Sequence, residues 1–431
     1  MVKASTNKLV SLTNFKKKLK RVTKRYLPLA AVKGIQSTIR PLRRAKLRVE
    51  STLNPRQFFD DPFPKVDIHY ARPQDINHWC RGPNAIFSPW GDRGRVLDGD
   101  WDRQISDLLI NQTSFYTSYD LRLKKKTPWR ETPYHLYVMK KLERGEVLWN
   151  CRSAAEFDAK CDEWDEVFAS IRDDGYIAGK SEDEVSVNID RNGRLLLNDG
   201  YHRLVFAKLL GLPQIPVTIV VRHRKWHDFR RELYNFIQSG RHSPRGLAYA
   251  PLLHTDLASV PSQHGHDRFD IIRKHLRGKR ILDIGAHLGY FSHRFEDLGH
   301  ECIAVESHPD ICYFLRKLHA AQERKFRIVE ESIFSFVERE RPAVDSVLAL
   351  SILHHFLKEE PLYHQLVGLL NTLATKEMLF QPHNPAEPQM RGAFRNFNST
   401  EFVEFILENS KLTQAEKIGV AKNGREIFRL F

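Results

Sequence analysis

The chain has 431 residues and a formal net charge of +15, a length that suggests two to three domains with room for real cores. No apolar run approaches the ~20 residues of a membrane span, and no signal-peptide pattern opens the chain. The charge sits at one end: residues 1–50 carry fifteen Lys and Arg against Glu50 alone, while the other 381 residues carry 53 basic and 52 acidic side chains. A broad phosphate-tracking surface on the body is therefore not expected. Five cysteines without a C-x-x-C pair fit a reduced, cytoplasmic protein without a structural zinc, and no metal site is expected.

Leu9, Leu12, Phe15, Leu19, Val22 and Tyr26 recur at three- and four-residue intervals with Lys and Arg mostly between them. Residues 1–50 thus read as a basic amphipathic tail that either lies on an anionic membrane surface or covers a groove on its own protein. Peripheral membrane contact would come through this tail. Residues 51–180 are less regular. Six of the seven tryptophans fall here, so the region packs, and helical spacing runs over Tyr134–Leu148 and Ala154–Ile171. Asp98, Asp100 and Asp102 bunch around a turn, which reads as a solvated turn in preference to a cation site.

From Val185 the pattern sharpens. Val185–Ile189 alternates as a strand, Asn192-Gly193 is a hairpin turn, and Leu195–Leu197 returns. Asn198-Asp199-Gly200-Tyr201-His202-Arg203 then leads into a helix ending at Gly211, and Ile215–Val221 is a further strand. A strand feeding a D-G-x-H-R turn at a helix start, followed by I-P-V, resembles the ParB/sulfiredoxin-like fold over about forty residues. The resemblance implies an α+β domain, taken as 51–238, in which Asp199, Gly200, His202 and Arg203 bind a phosphate or nucleotide; the alternative is that His202 and Arg203 only pin the turn. Tyr201 stands where sulfiredoxin has its reactive cysteine, so that chemistry is not expected. Residues 239–263 carry Gly, Pro, Ser and His without periodicity and read as a linker.

The most informative stretch is Arg280–Glu306, RILDIGAHLGYFSHRFEDLGHECIAVE. An apolar strand meets a glycine turn, a helix follows to Gly299, and a second strand ends on an acid: half of a nucleotide-binding α/β unit. A dinucleotide fingerprint wants three glycines; here Gly285 and Gly289 stand alone, with Asp283 two residues ahead. That pattern resembles motif I of the class I S-adenosylmethionine (SAM)-dependent methyltransferases. Later elements agree. Pro309 starts a helix to about Ala321, strands follow at Phe326–Val329, Ser346–Leu350 and Met378–Gln381, and Asn423-Gly424 turns a last hairpin.

The resemblance covers 264–431 and implies a Rossmann-like, seven-stranded sheet with a terminal antiparallel hairpin. It also implies SAM as cofactor, held along Asp283, Gly285, Ala286, His287 and Gly289, by Glu306 and Ser307, near Glu331 and Ser332, and at Leu350. Either histidine of the L-H-H run, His354 or His355, or His383 after the fifth strand, stands where a base could take a proton from an acceptor hydroxyl; the alternative is that they shape the pocket. The expected activity is methyl transfer, O-methyl in preference to N-methyl, because no N-P-P-Y type motif follows the fourth strand. A small-molecule or glycan acceptor is the first reading, with a nucleotide in the N-terminal domain. An RNA- or DNA-associated methyltransferase is the second, using the ParB-like box and the tail.

Overall fold

The computed structural model describes residues 45, 49, 68–80, 87–89, 91–181 and 183–431; the basic helix expected over Leu9–Tyr26 lies outside them. The chain is mixed α/β with two sheets and divides into two compact units. The first takes in Asp67–Arg191 and Leu195–His227, the second Asn192–Arg194 and Asp228–Phe431.

The first unit opens with short strands β1 (His69–Ala71), β2 (His78–Trp79) and β3 (Arg95–Leu97), then helices α1 (Ser114–Lys125), α2 (Pro133–Glu143) and α3 (Ala154–Asp174). Each helix starts at a hydroxyl cap: Thr113, Thr132 and Ser153 accept backbone N–H bonds from Tyr116, His135 and Glu156, which satisfies donors that have no partner inside the helix. The spacing over Tyr134–Leu148 promised a longer α2. It stops at Glu143 because Gly145 turns the chain at φ 74°, a conformation glycine adopts without strain.

Strands β4 (Val185–Ile189) and β5 (Leu195–Asp199), helix α4 (Tyr201–Leu209) and strand β6 (Ile215–His223) complete the unit. The sheet runs β1-β6-β4-β5-β2, with β3 also on β6, and is mixed: β4 is antiparallel to β5 and parallel to β6. The acidic turn is solvated at Asp98 and Asp100, as expected, but its third acid is drawn into an ion cluster. Asp102 is buried, and Arg191 bonds both Asp102 and Asp100. Burial opposes ionisation of Asp102, but the Arg191 hydrogen bonds prevail and hold its carboxyl below the usual range.

Helix α5 (Arg224–Ser239) carries the chain from the first unit into the second. There α6 (Asp267–His275) precedes β7 (Arg280–Ile284), α7 (Tyr290–Asp297), β8 (Glu301–Val305), α8 (Pro309–Ala321), β9 (Arg327–Val329), α9 (Ile333–Glu340) and β10 (Ser346–Leu350). A short 3-10 turn at Leu353–Leu357, α10 (Glu360–Thr372), β11 (Glu377–Gln381), α11 (Ser399–Glu408), β12 (Ala415–Val420) and β13 (Glu426–Leu430) follow. The sheet order is β12-β13-β11-β10-β7-β8-β9, parallel except for β13, which runs antiparallel to β11 and to β12.

Both faces of this sheet are covered, as the unbroken apolar strands require. Val347, Ala349 and Phe380 pack into one core, while Leu348 and Leu379, one residue out of step, pack into the other. Strand order reverses between β7 and β10, and the crevice beyond their carboxyl ends is where an open α/β sheet places its ligand.

Candidate functional site

The crevice is a cavity of about 600 Å³. Its walls come from the ends of β7, β8, β9 and β10, and from residues 241–264, which composition had marked as linker. That segment runs through the second unit with Leu252, Leu257 and Val260 buried, and it adds Arg241, His242, Tyr249, Gln263 and His264 to the wall.

The Gly285–Gly289 turn forms the floor. Gly285 and Ala286 donate backbone bonds to the Val305 carbonyl, and His287 adopts φ 53°, an uncommon region for a residue with a Cβ. Its backbone N–H donates to Glu306 Oε2 at 3.0 Å, while Ser307 and His308 N–H donate to Oε1, both at 2.9 Å. Three of the roughly four acceptor positions of a carboxylate are thus filled by the backbone. Glu306 is held rigidly at the end of β8, with one position left on Oε2.

Gly285 and Gly289 need positive φ, 68° and 78°. A Cβ at Gly285 would come within 2.8 Å of Ile352, and one at Gly289 within 2.6 Å of Leu315. The missing side chain of Gly289, expected above along the SAM turn, makes room for Leu315 in the core under α7, and Gly289 caps that helix.

Asp283 is buried with its Oδ2 accepting from Ser292 Oγ at 2.8 Å. Burial pushes its carboxyl up to about 6, because a charge removed from water is costly. Across a small enclosed space of about 30 Å³ lies Arg268, a residue the sequence gave no reason to single out. It sits on the buried side of α6, over the rings of Tyr249 and Phe291 at 5.5 and 5.4 Å, and its one hydrogen bond to Gln381 is long, at 3.4 Å. Arg268 Nε and Gln381 Nε2 are buried without partners.

At the end of β9 the two adjacent acids separate. Glu330 pairs with Arg316 away from the cavity; Glu331 and Ser332 line it, with Glu331 also paired to Arg339. Ser332 caps α9. Leu350 closes the end of β10, and Ser351 beyond it adopts φ 58°. Its Oγ donates to Gln381 Oε1 and receives from Arg425, whose other nitrogen pairs with Glu387. Arg425 therefore reaches the cavity from the last hairpin, beside the Asn423-Gly424 turn.

The three histidines singled out in the sequence converge. The His354 ring lies 4.2 Å from His355 and 5.2 Å from His383. Both ring nitrogens of His354 are buried without partners, and so is His383 Nδ1, whose Nε2 meets Asn396 Oδ1 at 2.8 Å. Burial and neighbouring cations depress them: His354 to about 2, His355 to about 4, and His383 below its ordinary value. They stand as neutral imidazoles at neutral pH, able to donate or accept one hydrogen bond each.

In the first unit the D-G-x-H-R turn is packed differently. Gly200 (φ 89°) caps α4, and a Cβ there would fall 2.9 Å from the Val185 backbone. Asp199 Oδ1 accepts from the Gly200 N–H. Arg203 donates to the Asp183 carbonyl. The His202 ring stacks on Trp164 at 4.4 Å with Phe115 and Trp149 edge-on, and burial drops it to about 3. Among the described residues no group of His, Cys, Asp and Glu is arranged to hold a metal ion, and no helix is long and apolar enough to cross a membrane.

No family model matches the chain, and no curated protein is similar to it. Solved structures similar to part of the chain include SAM-dependent methyltransferases. The bifunctional kinase-methyltransferase WbdD is 16% identical over 46% of this chain and 45% of its own, with a TM-score of 0.37; the match spans less than half of WbdD. A SAM-dependent methyltransferase from Archaeoglobus fulgidus is 17% identical over 38% of this chain and 89% of its own, with a TM-score of 0.28. A putative O-methyltransferase from Nostoc punctiforme PCC 73102 is 15% identical over 38% and 55%, with a TM-score of 0.30.

Proposed function

We propose that the second unit is a SAM-dependent methyltransferase acting on the oxygen of a small-molecule or glycan-type acceptor. The observation that carries this reading is a rigid Glu306 at one glycine turn, at the reversal point of the sheet, together with a second pair of groups, the buried Asp283 and Arg268, that line one small enclosed space. A zwitterionic amino-acid end suits the second pair: Arg268 has a free buried N–H for a carboxylate, and Asp283 an acceptor for an ammonium. The open position on Glu306 suits a ribose hydroxyl, with Ser307 beside it. Glu331, Ser332 and Leu350 border the space where a base would lie, and Gly285, Ala286 and His287 line its floor.

SAM supplies an electrophilic methyl on a sulfonium, so the chain's task is largely to hold an acceptor oxygen in line. The neutral His354, His355 and His383 can orient an acceptor hydroxyl by hydrogen bonds. Their depressed basicity favours that role over abstracting a proton in advance, although an anion bound beside them would raise it. Positioning then carries most of the rate.

For the first unit the reading is a ParB/sulfiredoxin-like module in which His202 and Arg203, packed on protein groups, pin the turn in preference to binding a nucleotide or phosphate with Asp199 and Gly200, and for residues 1–50 a peripheral membrane contact in the cytoplasm. The near-neutral body supports a small-molecule or glycan acceptor over a nucleic acid.

The test is calorimetry with SAM on the wild-type chain, on Gly285→Arg and on Glu306→Gln. Wild type should bind, Gly285→Arg should lose binding altogether, and Glu306→Gln, which keeps the side chain's size, should weaken it at least tenfold. Equal affinity in all three would sink the assignment.

A further inference from the structure

The first unit holds a cleft of about 510 Å³ lined by Val147, Leu148, Trp149, Asn150 and Lys160, and neither the D-G-x-H-R turn nor the methyltransferase reading accounts for it. Trp149 and Asn150 are the central residues of a tight turn closed by the Cys151 N–H on the Leu148 carbonyl at 2.7 Å. Their φ values are 53° and 65°. Two consecutive left-handed residues are what Asn-Gly or Gly-Gly provide cheaply; a tryptophan there is strained, and strain of this kind persists where the surroundings over-determine it.

The surroundings do so here. The indole N–H donates to Tyr134 Oη at 2.6 Å. The ring packs against His202 at 4.6 Å and Trp164 at 6.1 Å. His202 is kept neutral by burial, so the box behind the indole carries no charge. Trp149 is nevertheless 43% exposed and Val147 38% exposed. Backbone strain and a part-buried hydrogen bond therefore fix a large flat apolar surface at the wall of an open cleft.

The rim decides the class of ligand. Lys160 is ion-paired with Glu163, its neighbour on α3, so the rim offers donors and an acceptor without net positive charge. Asn150 adds an amide that both donates and accepts. A ligand anchored by charge, such as a nucleoside phosphate, finds no unneutralised cation among these groups. A neutral ring with an apolar face and a fringe of hydroxyls matches both the indole and the rim.

We propose that the Trp149 cleft is a carbohydrate subsite that takes a pyranose ring against the indole. It stands on the first unit alone and goes beyond the methyltransferase reading, which SAM calorimetry on the same variants would test separately.

The experiment is a titration of the full chain with methyl glucopyranoside, methyl mannopyranoside, methyl galactopyranoside and AMP, read by tryptophan fluorescence and by saturation-transfer NMR. At least one pyranoside should bind in the millimolar range with its ring protons in contact. Trp149→Ala should weaken that binding at least tenfold, and Trp149→Phe by no more than about threefold, since a flat ring remains. Lys160→Met should weaken it several-fold without disturbing the core. Binding of AMP but of no pyranoside, no binding of any probe, or pyranoside binding unchanged in Trp149→Ala would each overturn the proposal. If Trp149→Ala does not fold, Lys160→Met and Trp149→Phe decide it: pyranoside affinity unchanged in Lys160→Met, or a loss in Trp149→Phe beyond tenfold, overturns it.

Discussion

Two turns in this molecule share one local design and come to different ends. In each a strand runs into an acid and a glycine, and the helix that follows is capped by a left-handed glycine: Asp199-Gly200 ahead of α4, and Asp283 through Gly289 ahead of α7. At the first, glycine is required because the Val185 backbone presses on it, Arg203 donates to the Asp183 carbonyl, and the His202 ring is packed among Trp164, Phe115 and Trp149, so that its unpartnered Nε2 faces aromatic rings. At the second, the turn borders two cavities, one lined by His354, whose ring nitrogens are both unpartnered, and a smaller one lined by Arg268, whose Nε is unpartnered. Buried polar groups are normally satisfied, and each exception asks for an explanation. Glycine and an acid at a helix start thus do not by themselves make a binding site; what faces the turn does.

Gly285→Arg should abolish SAM binding, the largest effect expected. Gly200→Ala should leave SAM affinity within about twofold while costing the first unit roughly 2 kcal/mol or more, from left-handed strain and contact with Val185. Thermal unfolding of the variant reads that cost; a loss of SAM affinity without a loss of stability would overturn the difference drawn between the two turns.

Asp283→Asn should change stability in a pH-dependent way. The Asp283 carboxyl is raised in the folded state, so its contribution to stability is present below the unfolded value near 4 and is lost as pH rises through about 6. At pH 7 the ionised, buried group costs up to about 3 kcal/mol, which asparagine removes. The variant should melt higher than wild type at pH 7, converge with it near pH 4, and bind SAM more weakly. A variant less stable than wild type at pH 7 would show that Arg268 already compensates the carboxylate.

Much of this was legible from the chain because it is local. Strands Val185–Ile189 and Ser346–Leu350 and the helix from Pro309 to Ala321 follow from alternation, turn residues and a helix-starting proline. What was not legible depends on partners far apart in sequence. Arg268 looks like a surface residue of an amphipathic helix until Asp283 and Gln381 meet it. Arg425 follows an ordinary hairpin turn, and nothing nearby signals that it reaches Ser351 and Glu387. Glu330 and Glu331 differ only in which arginine each finds. The loop composition of 241–264 said nothing of the apolar contacts that hold it in the second unit. For the aromatic box, sequence announced many tryptophans but not that His202 would be enclosed by them.

The smallest expected effect concerns the tail. Deleting residues 1–48 should leave the melting temperature nearly unchanged while removing salt-sensitive binding to anionic liposomes. Failure of the full-length chain to bind such liposomes at low salt would assign the tail another role.

The most direct measurement of the difference between the two turns is amide hydrogen exchange with and without SAM. Addition of SAM should slow exchange at Gly285–Leu288, at Glu306–His308 and at Ser332–Ile333 and leave Gly200–Arg203 unchanged. Protection at Gly200–Arg203 with none at Gly285–Leu288, or no protection anywhere, would contradict this pattern.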